Sequence, residues 1–220
     1  MAWLRDRIED GVWLWAVLRR RARRRWFALR RRVAAPALPV SADGKVRIHL
    51  GCGEIAAAGF INVDTQPGPH VHYVRDVTDL SVFADNEADL VYASHVLEHV
   101  RRPALRETLW EWRRVLKSGG VLRVSVPDFD RIVAIYQSRG RDMAGVQAVL
   151  MGGQEERSNT HYIAFNRTYL EEKLREAGFR EIRPWRPEEV ADHDFEDWAS
   201  RPLERSGGRF DVSLNLEAVK

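Results

Sequence analysis

The sequence predicts an α/β fold whose sheet is mostly parallel and covered on both faces, and three observations carry that reading. From Val46 onward, short apolar, β-rich runs alternate with helical patterns. Several of these runs are too continuously apolar for a sheet with one wet face. The 220 residues, 45% of them hydrophobic, suffice for one well-cored domain and an appendage rather than two domains.

In chain order, strands are expected at Val46–Leu50, Phe60–Val63, Val71–Val74, Ala88–Ala93 and Val121–Val126. A helix is expected over Pro103–Lys117, with Leu105, Leu109, Trp112 and Leu116 on one face and Gly119 and Gly120 closing it. A second starts near Thr168, which has capping-box spacing to Glu171, and stops at Gly178. Phe179–Trp185 and Phe210–Val219 read as two closing strands. The nine residues from Gly51 to Gly59 are fewer than the dozen or so that a parallel crossover normally takes, so the first helix should be stunted.

Ahead of this domain, placed at 45–220, residues 1–34 form a Trp/Arg-rich arm and 35–44, with Pro36 and Pro39, a linker. Residues 1–32 hold 11 Arg against three acids, a net +8, which leaves −5 for the remainder of the +3 total. An acidic domain is a poor general binder of phosphate backbones, so nucleic acid is a minority reading. Four of the eight Trp lie in the arm, at 3, 13, 15 and 26. Tryptophan and clustered arginine suit a helix lying on an anionic membrane surface; a solvated basic helix docked on a partner is the alternative. Val12–Leu18 is far too short to span a bilayer, and acids precede it where a secretory signal would place its positive charge. The single Cys52 allows neither an intrachain disulfide nor a cysteine zinc cluster, which suits the cytoplasm.

The segment HLGCGE, His49–Glu54, follows an apolar strand, and Gly51 and Gly53, with Cys52 between them, permit a tight turn close to a ligand. Gly51, Gly53 and Ala56 also fit a dinucleotide fingerprint, which expects an acid about 20 residues on, whereas Asp64 arrives 11 residues after Gly53. Asp64 ends FINVD at the carboxyl end of the second strand, where a carboxylate can accept both hydroxyls of a ribose; a turn Asp before Pro67 is the plainer alternative.

Taken in order, LGCG, INVD, RDVTDL, DLVYASHVLEHV, RRVLKSGG and VLRVSVPDF resemble the class I S-adenosylmethionine-dependent methyltransferases, and within them the predicted type 11 enzymes associated with glycan pathways. The resemblance spans about residues 45–219. It implies a Rossmann-like, doubly wound, mostly parallel seven-stranded sheet with an antiparallel last hairpin, and S-adenosyl-L-methionine as cofactor. It further implies that Gly51 and Gly53 approach the methionine part, Asp64 the ribose, and Asp76 or Val77 the adenine, with Ser94 and His95 at the crevice after the fourth strand. The first loop departs from the usual pattern in lacking a third glycine.

Two histidines, His95 and His161, and one aspartate are candidates for chemistry, while Glu98 and His99 are read as structuring the turn into the next helix. His95, Glu98 and His99 match HxxEH, the inverted zinc-peptidase motif, but a hydrolytic zinc site needs a third protein ligand, and no metal is assigned. His95 either touches cofactor or acceptor or packs. Asp128 ends the fifth strand and either orients an acceptor hydroxyl or caps the helix that begins near Arg131. Met151–Phe165 is a polar, glycine-hinged stretch suited to a lid, and His161 within it is the favoured general base, with a plain surface histidine as the alternative. The expected reaction is methyl transfer to oxygen of a sugar or glycan precursor or another small molecule. A non-catalytic scaffold at the membrane and an RNA-directed methyltransferase are the competing readings.

Overall fold

The computed structural model describes residues 36–39, 41–205 and 208–220. The arm and part of the linker lie outside the described residues. Among the described residues no helix is long and apolar enough to cross a membrane.

The sheet is built from β1 (Arg47–Leu50), β2 (Phe60–Asp64), β3 (Tyr73–Val74), β4 (Ala88–Ser94), β5 (Leu116–Pro127), β6 (Arg180–Pro184) and, after the small hairpin of β7 (Leu203–Arg205) and β8 (Gly208–Phe210), β9 (Ser213–Val219). Seven strands stand in the order β3-β2-β1-β4-β5-β9-β6. The first five run parallel, and β9 is antiparallel to both β5 and β6. The order reverses at β1, where β2 lies on one side and β4 on the other, and ligands of open α/β sheets bind at the carboxyl ends of strands flanking such a point.

Strand alternation sorts the side chains into two unlike faces. On one, Ile48, Leu50, Val63, Val91, Ala93, Leu122, Val124 and Leu216 pack with Leu109 and Trp112 of α1 (Leu105–Val115) and with Leu170 and Leu174 of α4 (Arg167–Glu176). The other face carries His49, Phe60, Tyr92, Arg123, Ser125 and Glu217, all buried. Its cover is an irregular segment, not a helix: Trp185, Phe195 and Ala199 lie against Phe60 and Tyr92. Three polar groups there are paired across the face. Tyr92 donates to Asp197 (2.5 Å), Ser125 to Asn215 (2.7 Å), and Arg123 to Glu217 (2.9 Å).

The structure amends several expected boundaries. The first predicted helix opens as a 3-10 turn at Arg102–Ala104 and ends at Val115, because Leu116 is extended and β5 already runs through Gly119 and Gly120. The second is capped by Asn166, two residues before Thr168, and the Asn166 side chain accepts from Tyr169 N. Phe210 belongs to the β7–β8 hairpin, so the last sheet strand starts at Ser213. Between β1 and β2 only turns occur, as the short spacing requires. The helices α2 (Phe129–Ser138) and α3 (Ala144–Met151) pack together through Ile132, Ile135 and Val146.

Candidate cofactor and active site

A cavity of about 900 Å³ opens at the carboxyl ends of β1, β2 and β4. Gly51, Gly53, Asp64, Asp76, Val77, His95, Val96, His99 and Tyr162 are among its lining residues. That volume lies at the upper end for small-molecule and cofactor sites.

The first loop is shaped by two amides and two glycines. Gly51 and Cys52 N–H both donate to Val63 O (2.8 and 3.3 Å), which folds the chain sharply back over β2. Gly51 and Gly53 have φ of +62° and +57°, a region that favours glycine. A Cβ on Gly51 would stand 2.3 Å from Val96 Cγ2, whereas one on Gly53 would meet nothing within 4 Å. Gly51 is therefore needed for packing and Gly53 for an open approach. Cys52 turns its thiol inward, where burial pushes its ionisation up, so only its backbone is available to a ligand.

Asp64 is held from both sides. Its Oδ2 accepts from Gly53 N (2.8 Å) and its Oδ1 from Gln66 N (2.7 Å). Each oxygen retains lone-pair capacity for a further donor, so the carboxylate is a preorganised acceptor in the cavity wall. Asp76 Oδ1 accepts from the N–H and hydroxyl of Thr78 (2.9 and 2.7 Å), and Val77 O accepts from the Trp112 indole (2.8 Å). The Val77 carbonyl is thus spent on the core, which fixes this corner of the cavity.

After β4 the chain makes an abrupt turn. His95 has φ +53°, a conformation rare for a non-glycine residue, and this brings its ring to the cavity. Its Nε2 lies 2.8 Å from Ser213 Oγ, while the Ser213 hydroxyl lies 2.6 Å from Trp198 O. The serine proton goes to that carbonyl, so His95 Nε2 is the donor and its Nδ1 carries the lone pair in the neutral ring. His95 Nδ1 faces Glu98 Oε1 at 3.4 Å, too long for a good hydrogen bond. Ser94, by contrast, has its hydroxyl buried beside β5 without a hydrogen-bond partner, and it does not line the cavity.

Glu98 is 1% exposed. Burial pushes its acidity down, yet His95, His99 and His161 together outweigh burial and hold the carboxyl below its ordinary range. His161 lies against His99, with ring centroids 4.7 Å apart, and its Nε2 is 3.9 Å from Glu98 Oε1. Burial lowers the His161 pKa, and Glu98 opposes that shift. Among the described residues His95 and His99 line the cavity but His161 does not. Asp128 is also outside the lining; it caps α2 by accepting from Asp130 N (3.1 Å) and sits 3.3 Å from Arg131 Nε.

The Met151–Phe165 stretch folds over this end of the sheet. Tyr162 N–H donates to Glu98 O (2.8 Å) and His161 N–H to Met151 O (3.0 Å). Sequence reading missed the part played by Thr65–His70, where His70 Nε2 lies 3.0 Å from Gly53 O, and by Arg101, whose guanidinium stands over the Tyr162 ring at the lid edge. Neither segment has hydrophobic periodicity, and nothing in residue type announces that it borders a cavity.

The seven-stranded sheet in this strand order, with two glycines and an acid lining one cavity, is similar in fold to solved S-adenosylmethionine-dependent methyltransferases. Residues 50–124 match the family model described as a methyltransferase domain, type 11. Among solved structures, a SAM-dependent methyltransferase from Archaeoglobus fulgidus is similar at 15% identity and a TM-score of 0.53, covering 80% of this chain and 87% of that one. A SAM-dependent methyltransferase from Thermotoga maritima, described as a possible histamine N-methyltransferase, is similar at 15% identity and a TM-score of 0.51, covering all of both chains. No curated protein matches the sequence. These likenesses carry the fold, and the methyltransferase-domain match spans residues 50–124, about a third of the chain.

Proposed function

We propose that this protein transfers a methyl group from S-adenosylmethionine to an oxygen of a small molecule, with a sugar or glycan precursor as the first acceptor class to examine. The observation that supports the reading is the Asp64 carboxylate, fixed by Gly53 and Gln66 amides in the wall of a cavity roomy enough for cofactor and acceptor together. The residues present fit the cofactor. Gly53 leaves open space for close approach, Asp64 accepts ribose hydroxyls, and the loop at Asp76 and Val77 borders the adenine end.

When bound, the cofactor supplies a methyl group already activated on a cationic sulfur, so the protein's tasks are alignment and proton removal. His95 is assigned the proton. It lines the cavity, its Nδ1 carries the lone pair, and a proton taken up there stands against the buried Glu98 carboxylate. His161, the sequence favourite, lies one ring behind His99 and is the lesser candidate. Asp128 is left as a helix cap.

The test is transfer of isotopically labelled methyl from the cofactor to a panel of sugar nucleotides and free glycans. Labelled product with wild type, and a kcat lower by about 100-fold or more in His95→Gln, are expected. Cofactor binding with no labelled product across the panel would instead favour the scaffold reading. For the Trp/Arg-rich arm, residues 1–34, the proposal is a peripheral contact with anionic membrane. The full chain should sediment with anionic vesicles and a chain lacking the arm should stay in solution; equal behaviour of the two would dismiss it.

A further inference from the structure

Glu98 poses a problem that the resting site, with His95 neutral, does not resolve. Both of its oxygens are buried without a hydrogen-bond partner. An isolated carboxylate in that position is costly unless a cation stands against it. Around it, one ligand atom each from Glu98, His99 and His161 lie within 4.8 Å of one another.

The two imidazoles are already oriented as ligands. His99 Nδ1 lies 3.1 Å from Thr160 O, and since a carbonyl only accepts, that nitrogen bears the proton and Nε2 carries the lone pair. The His161 ring is packed against that of His99, and its Nε2 lies 3.9 Å from Glu98 Oε1. A backbone carbonyl on the far nitrogen is the usual support of a metal-bound histidine. Two histidines and one carboxylate form a donor set taken by zinc and other divalent first-row ions.

We infer that Glu98, His99 and His161 form a binding site for a divalent transition-metal ion, zinc being the first to consider. The sequence motif HxxEH pairs His95 with His99, but the fold gives His99 a different partner, His161, some 60 residues on. His95 is instead tied to Ser213. Ligands around tetrahedral zinc stand about 3.4 Å apart, so small rotations of the three side chains close the set. Glu98 and His99 follow β4 while His161 belongs to the Met151–Phe165 stretch, so the ion fastens that stretch to the floor of the site. Three protein donors leave a further position for water or an acceptor oxygen at the cavity edge, where His99 stands.

The inference does not rest on the cofactor reading, and the test keeps the two apart. The full, tag-free chain is treated with chelator, dialysed, and titrated with zinc chloride by calorimetry; the same sample is then titrated with S-adenosylhomocysteine. One zinc per chain with sub-micromolar Kd is expected, weakened at least about 100-fold in His99→Gln, in His161→Gln and in Glu98→Gln. Circular dichroism checks that each variant is folded. Histidines elsewhere are controlled by His70→Gln, which should bind zinc as wild type does. Zinc binding weaker than about 100 μM by a folded wild type, or undiminished binding in a folded double variant His99→Gln/His161→Gln, would overturn the inference. Neither result would touch the cofactor reading if S-adenosylhomocysteine still binds.

Discussion

Replacing Gly51 and Gly53 separately by alanine distinguishes two roles that the sequence cannot tell apart. Both have positive φ, so either alanine incurs about 1–2 kcal/mol for left-handed backbone. Only at 51 does the new Cβ meet an atom, Val96 Cγ2 at 2.3 Å, and Val96 is itself buried. Relieving that overlap costs a further 1–3 kcal/mol or so, as overpacking generally does. Gly51→Ala should therefore lose about 2–5 kcal/mol and Gly53→Ala about 1–2. For a chain of this size each kcal/mol moves Tm by about 2–4 °C. Thermal melts followed by circular dichroism should place Gly51→Ala about 4–20 °C below wild type and Gly53→Ala about 2–8 °C below it. Gly53→Ala, whose methyl stands in open space at the cavity, should bind S-adenosylhomocysteine at least about tenfold more weakly while staying folded. A Gly51→Ala protein that melts within about 1 °C of wild type, or above Gly53→Ala, would refute the packing argument.

Three other perturbations follow from named contacts. Asp128→Ala should cost about 0.5–2 kcal/mol through loss of the α2 cap, while Asp128→Asn, a good cap, should unfold in urea with nearly wild-type midpoint; an activity loss in the Asn variant without destabilisation would restore a catalytic role. Glu217→Gln leaves the buried Arg123 guanidinium without its carboxylate and should cost about 3–5 kcal/mol in denaturant unfolding; a cost below about 1 kcal/mol would show that Arg123 finds another partner. Burial, aided by His193 and His70, pushes the His49 imidazole from 6.5 down to about 3. Because the unfolded chain binds that proton first, the contribution is fully present above about pH 6.5 and is lost at up to about 1.4 kcal/mol per unit as pH falls toward 3. His49→Phe, among Phe60, Tyr92 and Phe195, should reduce the slope of stability against pH by one proton in that window, and an unchanged slope would contradict it.

The parallel half of the sheet was legible because its strands are short apolar runs between glycine-rich turns, and the order of the motifs supplied the rest of the topology. Burial of the second face was expected, but not what covers it: His49, Tyr92, Arg123 and Glu217 are buried because Trp185 and Phe195 arrive from a segment with no periodicity of its own. The cofactor wall was legible at Gly51, Gly53 and Asp64, whose strand positions place them in one crevice. The Glu98 cluster was half legible. The i, i+4 spacing of His95 and His99 suggested a helical pair, but a 3-10 turn at Leu97–His99 and the positive φ of His95 mean that no α-helix presents them. Only the fold could deliver His161 to the gap.

The most direct test of the cofactor site is a calorimetric titration of the full chain with S-adenosylhomocysteine beside Asp64→Ala. Removing a carboxylate that accepts charged hydrogen bonds should cost roughly 1.5–3 kcal/mol each, a loss in affinity of about tenfold or more. Saturable binding by wild type, weakened to that degree in a folded Asp64→Ala, is the predicted result. No binding by folded wild type, or equal affinity in the two proteins, would contradict the account.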